Sequence, residues 1–419
     1  MIKSYIYTGL ALMIPFIGLT QNDSEPSDLQ LNTITTAVPF LQITPDSRSG
    51  AMGDAGTALS PTSSSFFWNT SMLSFAKDNS EISLSYSPWL QNLATDINLS
   101  HLAGFIRLND RNVVGGSLRY FSLGEIVFTD NNGQETMTFV PSEFEVLGGY
   151  AFKLNEKFSL GLNGKFIFSN LTGGINVAGA STRAGLAGAA DVSFSYLNED
   201  VRYFGAKGSF AFGATINNIG NKVTYTLEND RDFLPTNLKL GTAMTFDLDT
   251  YNSITWAVDV SKLLVPTPPQ YSPSTGEIIA GLDPNIGVVP GILQSFYDAP
   301  GTLSTDENGE VIVDEFGQAQ IEDGSRLGEE LREIMIGTGL EYWYNDLFAA
   351  RMGYFYENIT KGARQHLTFG IGLKYKMFGI DFSYLTSVRQ NNPLQNTIRF
   401  TMRLYLGNRA VSGDGSLNP

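Results

Sequence analysis

Residues 396–407 alternate without a break. Ile398, Phe400, Met402, Leu404 and Leu406 share one parity, and Thr397, Arg399, Thr401 and Arg403 share the other. A period of two, with large apolar groups on one face and charge on the other, belongs to a strand lying between oil and water. Leu367, Phe369, Ile371, Leu373 and Tyr375 alternate in the same way with His366, Thr368, Gly370, Gly372 and Lys374, and Ile380, Phe382 and Tyr384 with Asp381 and Ser383. Runs of ten or more residues are long for a soluble sheet and suit a tilted membrane-spanning strand. The same pattern predicts strands at 81–90, 97–108, 112–123, 142–154, 157–169, 181–197, 205–217, 236–249, 252–264, 331–344, 346–356, 364–376, 378–388 and 396–407. These make 14, an even number, as a barrel with both chain ends on one side requires. The expected fold class is all-β: a 14-stranded antiparallel transmembrane β-barrel.

The connections alternate in length. Short ones fall at 109–111, 155–156, Asn198 to Phe204, 250–251, Asn345 and Met377, and longer ones at 124–141, 170–180, 218–235 and 265–330. That is the sorting expected of periplasmic turns and extracellular loops. The apolar parity would face lipid through Ile82, Leu84, Tyr86, Leu238, Leu240, Met244, Ile254, Trp256 and Val258. Charge on that face near the midplane costs roughly 2–4 kcal/mol for a basic group. Arg107, Arg119, Lys239, Asp247, Asp259, Asp381, Arg399 and Arg403 are therefore expected inside, in a charge-balanced lumen network that also draws on Glu81, Lys165 and Lys374. Glycines recur in the strands, implying bends or close packing of internal backbone, with a bulge expected at 147–149.

Two segments depart from strand periodicity. Ahead of the barrel, Lys3 and the apolar run 6–19 predict a signal peptide over 1–20, and 21–79 an extension carrying a lumen plug. The plug is expected from small residues around Gly50, Met52, Gly53, Asp54 and Gly56, together with Arg48 and the bulky Phe67-Trp68-Asn69. Within the barrel, 80–407, the connection 265–330 is a long extracellular loop, and 408–419 is a periplasmic tail. Seven of the 17 prolines fall between 266 and 300. Ile286 to Tyr297 is expected to form a short amphipathic helix offering Val288, Val289, Ile292, Leu293 and Phe296 to a partner or to the barrel's own mouth, and 310–321 a hairpin.

Composition narrows the chemistry. With 43 glycines, 28 phenylalanines, 18 tyrosines and a mean hydropathy of −0.06, apolar groups are abundant yet never gathered into a long run after the start. A formal charge of −15 argues against nucleic acid. The chain has no cysteine, and His101 and His366 stand far apart, which suits polar packing in the lumen better than a metal or catalytic site. Asp306 to Glu310 lacks the ligand pattern of a calcium loop, and no nucleophile elbow or phosphate-binding glycine loop occurs. No enzyme activity, metal or cofactor is expected.

Three ordered motifs carry a family resemblance: 48–58 (RSGAMGDAGTA) followed by 64–69 (SSFFWN); 339–345 (GLEYWYN) with 351–357 (RMGYFYE); and 370–376 (GIGLKYK) with 379–384 (GIDFSY). Together they resemble the PorV family, within the long-chain fatty-acid transporter (FadL-like) superfamily of outer-membrane barrels. That resemblance implies a component of type IX secretion in Bacteroidota, seated in the outer membrane with its long loops extracellular. The partners it implies are a giant translocon barrel (SprA-like), secreted cargo bearing a C-terminal secretion domain, a surface attachment or sortase complex (PorU-like), and outer-membrane lipid or lipopolysaccharide. The superfamily implies an alternative, a channel for hydrophobic solutes. A third reading is a porin-like surface scaffold.

Overall fold

The computed structural model describes residues 31–129, 132–174, 176–177, 180–226, 231–272, 275–306, 311–313, 319–389 and 392–408. The expected signal peptide and nearly all of the expected tail lie outside the described residues. Fourteen strands close into one barrel. They are β1 (Asp78–Pro88), β2 (Ile97–Arg107), β3 (Asn112–Leu123), β4 (Ser142–Lys153), β5 (Phe158–Asn170), β6 (Gly185–Tyr203) and β7 (Ala206–Gly220). The second half adds β8 (Asn237–Asp247), β9 (Asn252–Leu263), β10 (Met335–Tyr344), β11 (Phe348–Tyr356), β12 (Gln365–Tyr375), β13 (Phe378–Ser387) and β14 (Thr397–Asn408). Each strand pairs antiparallel with its sequence neighbour, and β14 closes on β1 with Ser83 opposite Arg403 and Asp78 opposite Asn408. Closure leaves the barrel wall with no free edge, which is why a sheet can span lipid.

The faces follow the parity in the sequence. Ile371, Leu373, Phe400 and Met402 are exposed on the outer wall, while Asp381, Arg399 and Arg403 are buried within. Turns at 108–111, 154–157, 204–205, 248–251, 345–347 and 376–377 share the rim where β1 starts and β14 ends. The longer loops, 264–334 among them, crown the opposite rim.

Three local expectations are corrected. The sixth strand does not stop at 197: β6 runs to Tyr203 and turns through Phe204 and Gly205, at φ of 51° and 91°. Two left-handed residues make a tight hairpin turn, so the ladder continues to its tip. The register is unbroken through 147–149, and β6 instead shifts between Ala190 and Val192 and between Asn198 and Val201. The tenth strand does not begin at 331: Ser325–Arg332 form a helix, whose Glu329 pairs with Lys361 at the barrel mouth, and β10 starts at Met335.

Inside the barrel, described chain enters at the long-loop rim and descends to β1. Asn32 donates its N–H to the Thr360 carbonyl and its Nδ2 to Glu329. A 3-10 turn at Pro39–Gln42, helix α1 (Ser47–Gly50), helix α2 (Ser65–Trp68) and a 3-10 segment at Thr70–Phe75 follow. Phe40, Met52, Phe66, Met72 and Leu73 are all buried there.

Candidate functional site: a plugged lumen and an anchored outer loop

The plug expected at 48–69 lies in the lumen, held by backbone contact and by charge. Gly337, Gly339, Gly353 and Gly370 on β10–β12 all face the segment Ala51–Asp54. Gly339 and Gly353 are directly paired across the strands, and a side chain at either would meet Met52 or Gly53. Gly213 and Gly241 do the same for Thr57, and Gly115 and Gly149 for the Phe66 ring. The wall glycines are thus seats for the plug, the close-packing alternative of the two expected from sequence.

Charge locks the seat. Arg48 donates Nε and Nη2 to Glu341 at 2.8 and 2.6 Å and Nη1 to the Ser60 carbonyl at 2.9 Å. Arg351 bridges Glu341 and Asp381, both at 2.6 Å, and Arg403 also donates to Asp381. A ladder drawn from β10, β11, β13 and β14 therefore ends on the plug. On the opposite wall Arg119 pairs with Glu145 at 2.9 Å and Lys165 with Asp191 at 2.9 Å. Arg119 lies over the Phe40 and Phe67 rings, and Lys239 over Phe67 and Trp68 at 4.8 and 4.4 Å. Buried ions need such dense partnering, since an unmatched one costs several kcal/mol.

Carboxylates also cap the plug's backbone. Asp259 Oδ2 accepts from Gly56 N and Thr57 N, and Asp46 accepts from Ser49 N and Trp68 Nε1. Asn69 donates to the Thr57 carbonyl and to Ser195 Oγ, and Arg107 donates to the Ala76 carbonyl. Asp54 faces His366 at 3.4 Å, Arg399 packs against Gly50 beneath Trp89, and His101 is buried beside Arg119 in register.

Asp247 departs from the expected network. It ends β8 at the turn rim and is exposed, because parity there no longer points into a lumen. Lys374 is likewise at that rim, over the Tyr405 ring. Glu341, Arg351, Glu145 and Asp191 belong to the network and were missed by sequence reasoning, although their inward parity within strands was the signal available. A cavity beside Phe67, Lys239 and Asn237 has a volume of about 10 Å³, room for about one water.

The long loop is anchored at the outer mouth. Lys361 pairs with Glu329 at 2.7 Å and with Glu333 at 3.0 Å, and Lys262 with Glu330 at 3.1 Å and with Glu333. Thr267 donates Oγ1 to Glu333 and its N–H to Asp298 Oδ2. Burial pushes the Asp298 carboxyl up to about 6, against the opposing pull of the Thr267 and Gln294 hydrogen bonds.

From this base projects helix α3 (Val288–Gln294), shorter than the expected 286–297. Val289, Leu293 and Phe296 are exposed with Tyr297, whereas Val288 and Ile292 are half-buried. Only part of the expected contact set is therefore presented. The expected hairpin at 310–321 is met in part by bridges Thr305–Val311, Val313–Ala319 and Leu303–Ile321, its turn lying outside the described residues.

A closed barrel of 14 strands with an apolar outer wall and a polar lumen occupied by its own N-terminal segment is an outer-membrane β-barrel with extracellular loops. The family model described as type IX secretion system protein PorV matches residues 26–270, more than half of the chain, and the chain belongs to that family. The barrel is similar to the Pseudomonas putida toluene transporter TodX, at 11% identity over 87% of this chain and 99% of that one, with a TM-score of 0.47. It is also similar to the Ralstonia pickettii toluene transporter TbuX (12% identity, 87% and 98% covered, TM-score 0.45) and to a Pseudomonas aeruginosa FadL homologue (10%, 89% and 98%, 0.38). No curated protein matches the chain.

Proposed function

We propose that this barrel is a component of type IX protein secretion that works through its surface rather than its lumen. In this reading the anchored outer loop engages a giant translocon barrel, and the protein accepts cargo bearing a C-terminal secretion domain for delivery to a surface attachment complex. Family membership supports it. The observation that carries it is the apolar tip of α3, with Val289 66% and Leu293 61% exposed on a loop otherwise tied down by buried ion pairs. Ordered apolar groups left in water at the end of an anchored loop are the usual mark of a protein contact.

Replacing Val289, Leu293 and Phe296 with Asp tests this. Translocon copurification and cargo secretion should fall sharply while the barrel stays heat-modifiable. Unchanged copurification and secretion would refute the loop contact.

The second reading is a channel for hydrophobic solutes, which the sequence resemblance to the FadL-like superfamily favours. It requires a path past Arg48, Met52 and Trp68, all buried in the lumen. Solute uptake that falls on deletion of the protein, with secretion intact, would establish the channel instead.

A further inference from the structure

Helix α4 (Ser325–Arg332) has a face that the α3 contact does not use. Its inner side buries Glu329, which accepts from Asn32, Gly301 and Lys361. Leu327 and Leu331 lie one turn apart on the opposite side and are 66% and 58% exposed. Arg326 and Arg332 flank them, both exposed. The helix's ion pairs run through Glu329 and Glu330, and neither arginine forms one among the described residues. This is an odd place for unpaired guanidinium groups: residues 265–330 carry twelve carboxylates, and Arg326 is their only base.

Position supplies the second observation. The helix leads directly into β10, whose outward residues begin with Ile336, in register with Val260 on β9, and both face lipid. Lys262, two residues beyond Val260 at the same outward parity, pairs with Glu330 and Glu333 and so holds α4 over the outer rim. Leu327 and Leu331 thus sit on the side of α4 turned away from Glu329, a few residues before the first lipid-facing residue of β10, with the two arginines on either side of them.

We infer that α4 is a binding site for a phosphate-bearing lipid of the outer leaflet. Arg326 and Arg332 pair with the phosphate, whose oxygens match the planar guanidinium fork, and Leu327 and Leu331 lie against the acyl chains. A second protein is the less favoured occupant, because α4 leads within a few residues into the lipid-facing strand β10 and is tied to Lys262 at the rim of β9.

The experiment uses the full barrel in neutral detergent, bisphosphorylated lipid A as probe, and native mass spectrometry as readout. Wild type should retain lipid A at least about tenfold better than its dephosphorylated form, and R326Q/R332Q should lose about tenfold or more of that retention. L327S/L331S should weaken both forms, with heat-modifiability unchanged. Equal retention of the two lipids, or full retention by R326Q/R332Q, would overturn the site. Equimolar inorganic phosphate that displaced the lipid would also overturn it, by assigning the arginines to a free anion. So would variants that lose a protein partner while keeping the lipid.

Discussion

Arg48 on the plug and Glu341 on β10 form a two-point ion pair, with both side chains less than a tenth exposed. The pair links a segment that makes no wall strand to the ladder Glu341–Arg351–Asp381–Arg403. Removing one member leaves a buried charge short of a partner, which costs on the order of 3–5 kcal/mol. Arg48→Ala should therefore loosen the plug without opening the barrel wall. Limited proteolysis at 46–60 in detergent is the check, with the variant cut faster and the wall still heat-modifiable.

The glycine seats allow a steric version of the same test. A Cβ at Gly339 would come within 2.5 Å of the Met52 carbonyl oxygen, closer than any real contact allows. Gly339→Val and Gly353→Val should displace the plug and give long open events in planar bilayers, where wild type stays closed. Large steady conductance from wild type would contradict a sealed lumen.

The outer wall predicts a cost of its own. Ile371 is 53% exposed near the middle of β12. Ile371→Arg should destabilise the barrel by roughly 2–4 kcal/mol in reversible unfolding from phospholipid vesicles, and Lys374→Arg at the rim by less than about 1 kcal/mol.

The anchored loop should depend on pH. Burial raises the Asp298 carboxyl to about 6, so the folded loop holds that proton more tightly than the unfolded chain does. Its contribution to stability is complete below the ordinary carboxylate range and is lost as pH rises through about 6. Hydrogen exchange of 267–300 should quicken over that window, and Asp298→Asn should flatten the dependence. An equally steep profile in the variant would assign it to other groups.

Much of this architecture was legible in the chain. The lipid boundary imposes a strict two-residue period, because every outward side chain meets hydrocarbon and every inward one meets polar groups; strand number, the side of the long loops and the lumen position of Arg119, Asp259, Asp381, Arg399 and Arg403 all follow from it. Small residues around Gly50 and Gly53 marked a plug for a related reason, since only they pass close to backbone. Period alone carries no partner information. Whether Arg48 would meet Glu341, or Lys239 the rings of Phe67 and Trp68, depended on how the plug coils inside the closed wall. The exposure of Val289 and the burial of Glu329 likewise came from long-range ion pairs joining residues some 30 to 70 positions apart. Local alternation could declare which face each strand residue takes; only closure of the barrel around its own N-terminal segment decided which charges neutralise one another, because those distances are set in space and not along the chain.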